Sequence, residues 1–128
     1  MKIEHLALWT VDLERMIAFY TTYFGARAGR RYQSATRPFR SCFLTFADGA
    51  RLELMATPDV VLGASEEGAM HGYAHLALSV GSREAVDALT ERLRADGHRV
   101  LSGPRTTGDG YYESVVADPD GNPVEITE

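Results

Sequence analysis

Two histidines and two glutamates stand at matching places along this chain of 128 residues. His5 opens the run His5-Leu6-Ala7-Leu8, and His75 opens the same run at His75-Leu76-Ala77-Leu78. Downstream of each comes one pattern, Asp-Gly-x-x-aliphatic-Glu-aliphatic, first from Asp48 to Leu54 around Glu53 and again from Asp120 to Ile126 around Glu125. The steps agree, with 70 residues from His5 to His75 and 72 from Glu53 to Glu125. Imidazole nitrogen and carboxylate oxygen are donor types that suit Zn, Ni, Fe, Mn or Co, so the four residues form a candidate site for one divalent ion. Each of them alone reads as a surface or satisfied core group. Four at repeat-equivalent positions share one explanation, because a carboxylate taken out of water without a partner is costly.

Strand alternation gives these side chains a direction. Across Ile3 to Thr10, Leu6 and Leu8 fall on one face and His5, Ala7 and Trp9 on the other. Glu53 alternates with Leu52 and Leu54, and Glu125 with Val124 and Ile126, so each carboxylate takes the face opposite the one packed on helices. Between the first His and the first Glu, Asp12 is a helix cap, Leu13, Met16, Ile17, Tyr20 and Phe24 keep helical spacing, and Gly25 is a stop. Strands are expected around Ala28 to Tyr32, Ser41 to Phe46 and Arg51 to Met55, with Asp48-Gly49 as the hairpin signal. The second half repeats the plan: a strand from Tyr73 to Val80, a helix from Ser82 to about Ala95, and strands near Arg99 to Ser102, Tyr112 to Ala117 and Pro123 to Thr127.

The fold class expected is α+β, built from two tandem βαβββ modules, about 1–56 and 73–128, within a single domain of 1–128. The linker 57–72 carries Pro58, Gly63, Gly68, Gly72 and the acidic pair Glu66-Glu67. Gly103 to Tyr111 reads as a long polar loop and a candidate cleft rim. Trp9, Phe43, Tyr111 and Tyr112 are candidate pocket walls, and Arg105, with Arg37 and Arg40, is a candidate anion contact from loops. Cys42 reads as strand packing, His98 as an exposed turn residue and His71 as part of the linker.

Composition narrows the classes. The formal charge of −5 disfavours nucleic acid as a partner. The opening Met1-Lys2-Ile3-Glu4-His5 lacks the apolar run of a signal peptide, and no segment is apolar enough to span a membrane, so a soluble cytoplasmic protein is expected. A single cysteine permits no intrachain disulfide.

The chain resembles the vicinal oxygen chelate superfamily, which includes glyoxalase I, bleomycin-resistance proteins and extradiol dioxygenases. The marks are His5 at the start, a helix ending Phe19-Tyr20-x-x-x-Phe24-Gly25, the segment His75 to Val80, and Asp118-Pro119-Asp120-Gly121-Asn122-Pro123-Val124-Glu125. The resemblance implies curved sheets forming a cup around one divalent ion, in proteins that are commonly homodimers and act on small molecules. Its four-ligand set, His5, Glu53, His75 and Glu125, looks most like glyoxalase I, a lyase or isomerase working through an enediolate. By the same resemblance Glu125 is the catalytic base, with Glu53 a ligand and a second candidate base. Trp9 stands where bacterial glyoxalase I usually has an arginine for a glutathione carboxylate, and Thr57 where an asparagine contacts glutathione, which argues against glutathione use. Two alternatives stay open: a non-catalytic binding protein of the bleomycin-resistance kind, and an Fe(II) extradiol dioxygenase with two His and one carboxylate.

Overall fold

In the computed structural model, residues 1–60 and 72–128 are described. They divide into two compact units, Met1–Ala64 and Ser65–Glu128. His71 and the linker residues Gly63, Glu66, Glu67 and Gly68 lie outside the described residues.

In the first unit the chain runs β1 (His5–Trp9), α1 (Leu13–Phe24), β2 (Arg27–Ala28), β3 (Tyr32–Gln33), β4 (Arg40–Thr45) and β5 (Arg51–Ala56). Asp12 starts α1 by accepting from the Arg15 N–H at 3.0 Å, and Gly25 ends it at φ 64°, a left-handed conformation that glycine adopts without a Cβ clash. The sheet order is β1-β5-β4-β2, with β3 also on β4; β1 and β5 are parallel and the other pairs antiparallel. Leu13, Met16, Ile17, Phe19 and Tyr20 of α1 are buried, as are Cys42, Leu44, Leu52 and Leu54 on the sheet. This apolar layer is the unit's core. The single strand expected over residues 28–32 is in fact two, β2 and β3. From Ala28–Leu44 to Tyr32–Ser41 the chain advances four residues against three, and Gly29 N–H still donates to Phe43 O, so the extra residue falls between Gly29 and Tyr32.

The second unit repeats the plan as β6 (Leu76–Ser79), α2 (Arg83–Ala95), β7 (Val100–Thr106), β8 (Tyr112–Ala117) and β9 (Pro123–Thr127), in the order β6-β9-β8-β7. Ser82 caps α2 through Ala85 N–H. Val86, Leu93, Val116, Val124 and Ile126 are buried, and the buried Thr90 and Ser114 hydroxyls satisfy each other at 2.6 Å. Here too one element differs from expectation. Residues 103–106 belong to β7, not to a loop, and the connection shrinks to 107–111. Pro104 is tolerated because β7 is an edge strand, and two register shifts absorb the surplus residues between Val100 and Arg105. His98 is half-buried and donates its backbone N–H to Leu93 O at 2.9 Å. Among the described residues no helix is long and apolar enough to cross a membrane.

Cys42 is buried with its Sγ 3.5 Å from Gly29 O, and desolvation pushes its thiol pKa up. The thiolate is the reactive form. The native protein should therefore react with an aromatic disulfide reagent at pH 8 far more slowly than the protein in denaturant; equal rates would contradict the burial.

Candidate functional site

The two units place their His and Glu in one register. Ala7 on β1 lies beside Glu53 on the parallel strand β5, and Ala77 on β6 lies beside Glu125 on the parallel strand β9. In each case the histidine precedes that alanine by two residues, so strand alternation returns it to the carboxylate's face. His5 Nε2 is 3.9 Å from Glu53 Oε2, and His75 Nε2 is 3.2 Å from Glu125 Oε2. Two donors each about 2.0–2.2 Å from a shared ion at roughly right or tetrahedral angles sit about 3–3.5 Å apart. The His75–Glu125 pair meets that spacing, and His5–Glu53 is wider by 0.7 Å (3.9 against 3.2 Å). The histidines are about two-fifths exposed and the glutamates under one-fifth, so the carboxylates are held while the imidazoles stay accessible. Among the described residues, no group of three or more His, Cys, Asp or Glu side chains is gathered for a metal. Each unit by itself thus brings together one His and one Glu.

The surroundings of the two pairs are unlike. His5 Nδ1 is hydrogen-bonded to the Glu4 carboxylate, and Glu4 in turn accepts from the Arg51 guanidinium. The His5 bond and the Arg51 guanidinium hold the Glu4 carboxyl below its ordinary range. Arg51 stacks over Phe43 at 4.1 Å, and Phe43 meets the His5 ring edge-on with centroids 5.4 Å apart. Phe43 pairs with Glu53 across β4–β5, so it flanks the His–Glu pair directly. Neither Glu4 nor Arg51 was singled out from the sequence. The signal was available, since the residue before each repeated His is Glu4 in one copy and Ala74 in the other.

Trp9 shares the His5 face of β1 and is half-exposed; its ring meets Phe39 at 6.2 Å, and Tyr32 and the Arg37 guanidinium also lie against Phe39. Arg40 lines a different feature, an open cleft of about 210 Å³ shared with Gln33, Pro38, Ala56, Thr57 and Pro58. Arg105 is corrected from loop to strand: it sits on β7 opposite Glu113, donating to that carboxylate at 3.3 Å and to Ser102 Oγ at 2.8 Å. Its charge is already matched within the unit. Glu113, nearly buried and on the Glu125 face by alternation, went unnoticed in the sequence although the Tyr112–Ala117 pattern contains that signal. Tyr112 turns away from this face. Its hydroxyl donates to Asp87 Oδ1 of α2 at 2.7 Å, because Tyr112, Ser114 and Val116 share the helix side of β8. Tyr111 is exposed in the 107–111 turn.

Comparison with known proteins identifies the family and the fold. A family model described as the Glyoxalase/Bleomycin resistance protein/Dioxygenase superfamily matches residues 2–126. The chain is similar to a lactoylglutathione lyase of Haemophilus influenzae, with 31% identity over 131 residues that span all of this chain and 93% of that one. An uncharacterised protein of Pseudomonas aeruginosa is 34% identical over 136 residues, covering 98% of this chain and 86% of its own. Among solved structures, glyoxalase I from Zea mays superposes with a TM-score of 0.79 at 23% identity, over 98% of this chain and 44% of the maize chain. A glyoxalase/bleomycin resistance protein/dioxygenase domain from Frankia reaches 0.83 at 20% identity, over 99% of this chain and 96% of its own. At these identities the two structures speak for the fold alone.

Proposed function

The chain belongs to the glyoxalase/bleomycin resistance protein/dioxygenase superfamily, and from that premise we propose that it is a metal-dependent lyase or isomerase of glyoxalase type acting on a small substrate with adjacent oxygens. The observation that carries the reading is the pair of His–Glu contacts, His5–Glu53 and His75–Glu125, in the same parallel-strand register. Together the four side chains would hold one divalent ion, of Ni, Zn, Mn, Fe or Co. Such an ion, when bound, supplies Lewis-acid stabilisation to negative charge on the substrate oxygens. Glu125 takes the proton from the carbon next to the carbonyl and returns it to the neighbouring carbon, and Glu53 serves as ligand and second base. Trp9 and Phe43 wall the substrate on the first unit, and Arg105, already paired with Glu113, contacts an anionic group of the substrate only by exchanging that partner. The working assembly is a homodimer in which two His–Glu pairs complete each site. Exposed Trp9 and Tyr32, both against Phe39, form an apolar patch on the first unit that supports such association.

Named relatives are lactoylglutathione lyases, yet Trp9 packs on Phe39 where a carboxylate contact would be needed, so glutathione adducts are poor substrates in this reading. Metal analysis of the purified protein, followed by assays of its Ni, Zn, Mn and Fe forms with the glutathione–methylglyoxal hemithioacetal, tests it. We expect about one ion per site and weak turnover of that adduct. Protein that takes up no divalent ion would refute the assignment. The exposed Trp9 and Tyr32 of the first unit, both against Phe39, favour one second reading, a non-catalytic binder of aromatic small molecules, which metal-free protein that binds such a compound tightly would support.

A further inference from the structure

The duplication exposes a difference between its own halves. In the second unit the residue before His75 is Ala74, and Pro123 stands where Arg51 stands in the first. The first unit instead carries a chain of contacts, Arg51 to Glu4 to His5 Nδ1, braced by Phe43 lying between the Arg51 guanidinium and the His5 ring. An ionised carboxylate has no proton to donate, so in its bond to a neutral imidazole the Nδ1 must carry the hydrogen. The lone pair then sits on Nε2, the nitrogen that faces Glu53.

We propose that Glu4 is a positioning residue that fixes His5 in its Nδ1–H form and so leaves the Nε2 lone pair free for the metal. Carboxylates bonded to the far nitrogen of a ligating histidine set its tautomer and ring orientation and raise its basicity. His75 has no such partner among the described residues beyond Glu125 itself. The purpose assigned to Glu4 rests on the metal reading above, whereas its effect on the His5 tautomer does not.

The test separates the two. Metal-free protein labelled with ¹⁵N-histidine is examined by long-range ¹H–¹⁵N correlation at a pH where imidazoles are neutral, and Zn or Ni affinity is measured by competition with a chelator. Wild-type His5 should show the Nδ1–H pattern. Glu4→Leu should move it to the Nε2–H form preferred by free imidazole, leave the His75 signals in place, and weaken metal binding by about 10–100-fold. Glu4→Gln, whose amide oxygen still accepts from Nδ1–H, should recover most of both. Glu4 is exposed, so a stability loss is not expected to obscure the result. A wild-type His5 in the Nε2–H form would overturn the proposal, as would a Glu4→Leu protein with unchanged tautomer or unchanged affinity. Should wild-type protein bind no divalent ion, the proposed function and the metal role of Glu4 both fall, while the tautomer pattern still decides whether Glu4 orients His5.

Discussion

Glu125→Gln should lower turnover by roughly 10²–10⁴-fold, the range a positioned general base contributes. The substitution keeps the size and shape of the side chain but removes both the charge of the proposed base and a proposed metal ligand. Loss of a direct ligand is expected to weaken metal binding by more than the about 100-fold typical of a lost outer partner. Little stability should be lost, because Glu125 lies on the open face of β9 while the buried Val124 and Ile126 pack beneath it. The measurements are kcat with the glutathione–methylglyoxal hemithioacetal in the most active metal form, metal affinity by chelator competition, and Tm. Full activity in Glu125→Gln would remove Glu125 from the base role whatever happens to metal binding.

Leu54→Ala should show the reverse signature. Leu54 is 0% exposed, next to Glu53 on β5 and on the side that packs against α1. Truncation there removes buried apolar surface and leaves a cavity, at a cost of about 2–5 kcal/mol. Denaturant unfolding followed by circular dichroism should show the midpoint falling at an unchanged m-value. Saturating metal should restore part of the loss, since an ion that binds only the folded state stabilises it by mass action. A loss under about 1 kcal/mol would mean that this layer is not packed as a core. The two variants divide the same pattern between two parts: the glutamate of Asp-Gly-x-x-aliphatic-Glu-aliphatic faces the candidate site, and its buried aliphatic neighbours hold the strand.

Much of this was legible without coordinates because it depends on period and repetition. Asp12, Gly25 and Ser82 mark helix ends by local hydrogen bonding, and they do so in the structure. Alternation along β5 and β9 assigned the carboxylates to one face and the leucines, valine and isoleucine to the other, as the burial pattern has it. What misled was chain chemistry taken out of context. Gly103 and Pro104 are loop-formers by composition, yet an edge strand with room to bulge accommodates both. Tyr112 is aromatic and near the pattern, but its parity on β8 sends it to Asp87.

The sequence by itself determined the duplication, the two-faced strands and the identity of the four candidate ligands, because each follows from spacing along one chain. Tertiary structure alone decided which side chains stand beside them. Arg105 was matched to Glu113, and Arg51, Glu4 and Phe43 were drawn around His5, by the register between strands far apart in sequence. Such pairings arise when a ladder of backbone hydrogen bonds selects one alignment, and a shift of one residue would turn every one of these side chains to the opposite face.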